Sequence, residues 1–353
     1  MKSQSSQPAA GNPPAGDGRR PLQVVAMGGG TGLSTLLKGL KSYVTASEPE
    51  PAGGRPIGEL CAIVTVTDDG GSSGRLRKEF NVLPPGDIRN CIAALSEDEA
   101  LLSRLFQHRF HAGAGLNGHS FGNLFLTALT AITGDFAEAV KQSSEILATR
   151  GHIYPSTTSD VQLEATMANG TRVSGETNIT ASTERIVEIH LRPADVQPLP
   201  QTLEAIARAD LITIGPGSLF TSLVPNLLVH GIPEAVAASR AIKVFVCNLM
   251  TEANESLGLS AADHIRVLRE HARVQVVDYA MVNRTPVPGA LKAKYAAEGG
   301  SQIEVDVAAM EKLGVKVILG DYLETAQGVA RHATERVARD LLQLASQAAA
   351  PAR

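Results

Sequence analysis

The chain has 353 residues, 43% hydrophobic and 19% charged, with a formal net charge of −4. That length admits two domains or one large α/β domain with a sizeable core. The charge balance, the absence of Trp and the scarcity of aromatics exclude a general nucleic-acid surface, and no apolar run of about 18 residues offers a membrane span.

Residues 1–20 are rich in Ser, Pro, Gly and Ala and read as a disordered tail without the apolar core of a signal peptide. Leu22 to Met27 predicts a strand and Leu33 to Tyr43 a helix. Between them Gly28-Gly29-Gly30-Thr31-Gly32 forms a glycine loop. Such a turn sets free N–H groups and a positive helix end beside a phosphate. A dinucleotide fingerprint would need Gly or Ala where Leu33 stands, and no Gly-Lys-Ser/Thr closes a Walker loop.

A Pro/Gly-rich insertion over residues 47–58 reads as a loop, and Cys61 to Thr67 as the second strand. The next stretch, Asp68-Asp69-Gly70-Gly71-Ser72-Ser73-Gly74-Arg75, reads as a loop of small residues ending in a basic cluster. Its glycines and hydroxyls suit an anion, and its carboxylates suit a cation or the hydroxyls of a ribose or sugar. A solvated surface turn is the competing reading.

A helical block is expected from Asp87 to Arg150, with Ser96-Glu97-Asp98-Glu99 as a helix start inside it. Asp87 can cap a helix, Arg89 can pair with it or with a ligand phosphate, and His119 and Asn123 can reach a ligand. Alternating runs around Asn169-Gly170 predict a small antiparallel β insertion at about residues 160–191. Further strands are expected at Leu211 to Ile214, Val244 to Cys247, Val274 to Val277 and Val315 to Ile318. The intervening helices are Leu219 to Val229 and Ala261 to His271, and a last helix runs to about Ala345.

Strands alternating with helices imply a doubly wound α/β fold with a mostly parallel, Rossmann-like sheet, carrying the β insertion and extra helices. Residues 21–345 then form one domain, with 346–353 frayed. In such a sheet the Gly215-Pro216-Gly217-Ser218 turn joins the other two loops at one edge, and three such turns point to a diphosphate ligand. Ser218 serves equally well as a helix cap. Asn248 and Glu252 project to the same crevice. Cys61, Cys91 and Cys247 lack Cys-x-x-Cys spacing and read as buried thiols in a reducing cytoplasm. No third ligand accompanies His108 and His111, and no general base or nucleophile stands out.

These motifs, with Pro84-Pro85-Gly86-Asp87-Ile88-Arg89-Asn90, His119-Ser120-Phe121-Gly122-Asn123, Gly215 to Ser222 and Asn248-Leu249-Met250-Thr251-Glu252, occur in order. Together they resemble the gluconeogenesis factor family (YvcK-type) of the CofD-like superfamily over about residues 22 to 320. The resemblance implies a cytoplasmic bacterial protein that binds UDP-sugars such as UDP-N-acetylglucosamine and links carbon metabolism to cell-wall synthesis and cell shape. Cell-wall synthesis proteins or a regulatory kinase are the partners it implies, and a homodimer is compatible with the fold.

The expected ligand residues are Gly29, Gly30, Thr31, Gly32, Asp68, Asp69, Ser72, Ser73, Asp87, Arg89, Asn123, Gly217, Ser218 and Asn248. No catalytic residue and no required cofactor is expected. The superfamily's 2-phospho-L-lactate transferases use a divalent metal. Their acidic segment corresponds best to Asp68-Asp69, so in that alternative Asp68, Asp69 and Asp87 hold Mg²⁺, with Asp69 the candidate ligand. This chain departs from them at Arg89-Asn90 and at Gly215 to Ser218, which weakens the transferase reading. An NADP-binding protein is a third reading.

Overall fold

The computed structural model describes residues 20–44, 55–97, 100–326 and 328–348. Most of the expected tail, most of the 47–58 insertion, Asp98-Glu99 and residues 349–353 lie outside the described residues. The chain begins with β1 (Leu22–Gly28), α1 (Gly30–Lys41), β2 (Ile57–Val64), α2 (Gly71–Phe80), α3 (Gly86–Leu95), α4 (Ala100–Gln107), α5 (Phe121–Thr133) and α6 (Phe136–Ile146). Next come β3 (His152–Pro155), β4 (Gln162–Met167), β5 (Arg172–Ser174), α7 (Glu176–Ala181), β6 (Ile186–Arg192), α8 (Pro200–Arg208) and β7 (Leu211–Ile214).

A five-residue π-turn (Leu219–Leu223) leads into α9 (Val224–Leu227) and α10 (Ile232–Ala238). β8 (Ile242–Val246), α11 (Ala261–Ala272), β9 (Tyr279–Asn283), α12 (Gly289–Ala297) and α13 (Val307–Lys312) follow. The described chain closes with β10 (Lys316–Gly320), β11 (Leu323–Ala326), β12 (Val329–His332) and α14 (Thr334–Ala348).

Seven strands form one sheet in the order β10-β9-β8-β7-β1-β2-β3, and every pair in it is parallel. The central strands bury both faces, as helix-covered parallel strands must. Numbered along this sheet alone, the order is the doubly wound 3-2-1-4-5-6 pattern with one strand added. Chain direction across the sheet therefore reverses between β1 and β7, the switch point where such sheets bind ligands. β5-β4-β6 make a separate antiparallel sheet, turned at Asn169-Gly170 where the expected hairpin lies.

Several elements differ from expectation. The small-residue stretch after Asp69 is the start of helix α2, with Ser72, Ser73 and Gly74 buried in its first turn. The strand expected at Val274 to Val277 begins at Tyr279: Val276 and Val277 are buried, but the ladder to β8 and β10 starts at Tyr279. The helix expected over Leu219 to Val229 opens as a π-turn, and Pro225 in the first turn of α9 supplies no N–H for regular helical bonding.

No single described helix is long and apolar enough to cross a membrane. The apolar pair Leu219–Leu227 and Ile232–Ala238 bends by 77° and carries core residues such as Leu223, Leu227 and Val236.

Helix α14 closes over α1 at Gly39, where an added Cβ would stand 2.6 Å from Thr334 Cγ2 and 2.7 Å from its carbonyl oxygen. Gly39→Ala is therefore expected to cost about 1–3 kcal/mol through overpacking, read as a lower urea midpoint at unchanged slope.

Candidate functional site

The turn after β1 and the turn after β7 meet at the switch point with no side chain between them. A Cβ on Gly32 would come within 2.4 Å of the Pro216 carbonyl oxygen, so backbone packs directly on backbone. Gly30 at φ +60 starts α1, and Gly215 at φ +81 begins the second turn; both conformations favour glycine. Gly29 is the N-cap of α1 and offers no side-chain cap. The Gly30 N–H goes to the Asp87 carboxylate, so the Thr31 and Gly32 amides are the ones left at the positive end of the helix.

The loop after β8 holds the second turn in place. Asn248 Oδ1 accepts from the Gly217 N–H at 3.1 Å, and its Nδ2 donates to the Gly217 carbonyl at 2.9 Å. Ser218 Oγ donates to Glu252 Oε2 at 2.6 Å and makes no capping bond. Glu255 takes the capping role, accepting from the Phe220 and Thr221 N–H groups at 2.7 and 2.9 Å. Burial and the nearby Glu252 carboxylate raise the Glu255 carboxyl above its usual range.

These loops floor a cleft of about 360 Å³ lined by Gly29, Gly30, Thr31, Gly32, Gly217, Ser218, Asn248 and Glu252. Its far wall is formed by Tyr295 and Glu298 after β9, together with Ala330 and His332 of β12. Tyr295 Oη accepts from the Ala330 N–H at 3.2 Å, which ties the two parts of that wall.

Seven expected residues do not line this cleft. They form a neighbouring polar cluster after β2, around the N-terminal ends of α2 and α3. Asp68 Oδ1 accepts from the Gly70 N–H at 2.9 Å, and its other oxygen lies beside Gly86 together with Ser73 Oγ. Asp69 turns the opposite way: its Oδ1 accepts from Thr177 N–H at 2.8 Å and Thr177 Oγ1 at 2.6 Å, at the start of α7. Ser72 Oγ lies 2.9 Å from His119 Nδ1 and accepts from Asn123 Nδ2 at 3.1 Å.

Asp87 sits inside the first turn of α3, whose N-cap position is Pro85. It joins the two regions, because a Cβ on Gly29 would stand 2.7 Å from its Oδ2. Loss of water and the Asp68 carboxylate push the Asp87 carboxyl up to about 6, against the opposing Gly30 N–H and Arg89. Glu176 is pushed up to about 9 by burial, then by Asp68 and Asp87. Among the described residues no three His, Cys, Asp or Glu side chains are arranged to hold a metal ion. Asp69 gives its Oδ1 to Thr177, while the Asp68 and Asp87 carboxylates stand close to each other and to Glu176.

Sequence reading brought the glycine turns, Ser218, Asn248 and Glu252 to one place. It missed Tyr295, Glu298 and His332, which arrive from distant elements without a local motif. Glu255 had a usable signal, a second acid three residues after Glu252 in a loop leaving a strand.

The family model described as 2-phospho-L-lactate transferase CofD matches residues 24–323. A gluconeogenesis factor from Halalkalibacterium halodurans is 46% identical over 320 residues, 91% of this chain and 95% of that protein. The gluconeogenesis factor of Bacillus subtilis is 45% identical over 327 residues, covering 93% and 99%. A crystal structure of a Bacillus halodurans protein, 46% identical, superposes with a TM-score of 0.86 over 92% of this chain and all of the other.

The Asp69 contact has a measurable consequence. Asp69→Ala removes the acceptor that caps α7 from a distance, and is expected to cost about 0.5–2 kcal/mol. Hydrogen exchange should report faster opening of β4, β5 and α7, with β1 and β7 unchanged.

Proposed function

The chain belongs to the CofD family, and on that premise, with gluconeogenesis factors among its relatives, we propose that it is a nucleotide-sugar-binding regulatory protein. Its ligand would resemble UDP-N-acetylglucosamine, and its role would be to adjust cell-wall synthesis and cell shape to gluconeogenic growth in the cytoplasm. The observation that carries the reading is the cleft at the switch point. Its floor combines the N-terminal end of α1 with the interlocked turns at Gly32 and Pro216, an arrangement suited to a diphosphate.

The rim suits the remainder of such a ligand. Tyr295 offers a ring for a base, and Glu252 and Glu298 offer acceptors for ribose or sugar hydroxyls. A regulator is preferred over a transferase because the chain departs from the transferases at Arg89-Asn90 and at Gly215 to Ser218.

Isothermal titration with UDP-N-acetylglucosamine tests the reading directly. Tyr295→Ala should weaken binding about tenfold or more, the worth of roughly one base stack. Tyr295→Phe, which keeps the ring, should bind nearly as the wild type. Unchanged affinity in Tyr295→Ala would remove the base from this wall.

Affinity should also depend on pH through Asp87, which lies against Gly29 and faces Asp68, Glu176, Arg89 and the Gly30 N–H. Above about 6 its carboxylate is charged and repels a diphosphate; below that value it is neutral. The diphosphate diester keeps its own charge across this range. Binding is therefore expected to strengthen as pH falls from 8 to 5.5, and Asp87→Asn should flatten the profile.

A further inference from the structure

Beyond the acidic cluster stands a corner of three arginines, none of which closes an ion pair among the described residues, although Asp87 and Asp68 act on Arg89. Arg75 of α2 donates through Nη2 to the Asn117 carbonyl at 2.7 Å. Arg109 donates through Nη1 to the next carbonyl, Gly118, at 2.5 Å. Arg109 also pairs with Ser120, whose side chain caps α5. The Arg89 stem packs on Gly122, its Cγ and Cδ 2.8 and 2.9 Å from where a Cβ would stand, and its Nη2 reaches Asn90 Oδ1 at 2.8 Å. Elsewhere arginines such as Arg77, Arg150 and Arg172 sit in ion pairs. Among the described residues these three do not.

Two buried polar atoms in this corner have no partner: Arg89 Nε, a donor, and Asn123 Oδ1, an acceptor. Asn123 is 2% exposed, so the omission is costly. Its amide is oriented with Nδ2 donating to Ser72 Oγ. Burial and the nearby Arg75 lower the proton affinity of His119, and with Nδ1 as the acceptor Ser72 donates to it and accepts from Asn123 Nδ2. That leaves Asn123 Oδ1 free to accept. The complementary molecule must bring an oxyanion for the guanidinium groups and a hydroxyl for the amide oxygen.

We propose that Arg75, Arg89, Arg109 and Asn123 form a second ligand subsite, for a hydroxyl-bearing phosphate monoester such as a sugar or polyol phosphate. None of the four lines the glycine-turn cleft. Asp87, against Gly29, stands between that cleft and the arginine corner. The subsite goes beyond the nucleotide-sugar reading and does not rest on it. A protein with both sites would compare two phosphorylated metabolites.

Isothermal titration of the full chain with glucose 6-phosphate, inorganic phosphate and UDP-N-acetylglucosamine tests the subsite. Glucose 6-phosphate should bind, and bind at least tenfold more tightly than inorganic phosphate. Arg109→Gln, at an exposed position, should weaken both at least tenfold and leave UDP-N-acetylglucosamine affinity unchanged. Asn123→Ala, with its fold checked by thermal unfolding, should weaken glucose 6-phosphate more than inorganic phosphate.

The proposal is overturned if glucose 6-phosphate fails to bind, if Arg109→Gln leaves its binding intact, or if inorganic phosphate binds equally well. An equal loss of UDP-N-acetylglucosamine affinity in Arg109→Gln would also overturn it, by assigning the arginines to the nucleotide sugar. Absence of UDP-N-acetylglucosamine binding to the wild type would instead remove the first-site reading and leave this one standing.

Discussion

The contact between Gly32 and the Pro216 carbonyl governs the geometry of the whole ligand-facing edge. Any side chain at position 32 would separate the turns after β1 and β7, and the sheet order makes those strands immediate neighbours at the reversal point. Asn248 then fastens Gly217 from both sides, and Glu255 satisfies the amides behind it. Loops leaving β1, β7 and β8 are thereby one backbone unit. A floor of this kind is organised before any ligand arrives, which spares part of the ordering cost of binding. Discrimination between ligands falls to the rim, where Tyr295, Glu298 and His332 come from other elements.

The neighbouring cluster is built on the opposite principle. Burial and then the Asp68 carboxylate raise Asp87 to about 6, and burial followed by Asp68 and Asp87 raises Glu176 to about 9. Arg89, close by, loses proton affinity through burial and through Arg109. Charges of both signs are held near one another without closing into ion pairs. A chain evolving for stability alone would let them pair or replace them with apolar groups. Perturbed, unpaired groups at the ligand edge of a sheet are the pattern expected where binding energy is to be supplied from outside.

Much of this was readable in the sequence, and the failures have physical causes. Strand–glycine–helix punctuation gave the parallel sheet and the glycine turns after β1 and β7, because each feature is local. Asn169-Gly170 gave the hairpin for the same reason. Helix α2 was missed because three glycines and two serines argue against a helix locally. Yet a Cβ at Gly74 would meet the Asp69 carbonyl at 1.9 Å, so close packing demands glycine inside that helix. Strand β3 is four residues ending in Pro155 and takes its identity from pairing with β2, which no local pattern encodes. Tyr295 and His332 reach the cleft by tertiary placement alone.

The Asp68-Asp69 pair shows how a motif can carry two kinds of information at once. Both carboxylates were read as facing a ligand or a cation. Asp68 faces inward, toward Gly70, Ser73 and the start of α3. Asp69 faces outward and holds Thr177, so it fastens the antiparallel insertion to the main sheet. That tie brings Glu176, the residue before Thr177, within reach of Thr67 Oγ1 at 3.5 Å and beside the Asp68 charge. The insertion thus completes the acidic cluster, and Asp69 acts on the site through the element it anchors. Adjacent acids in such a loop serve placement and recognition together, and their side-chain directions decide which does which.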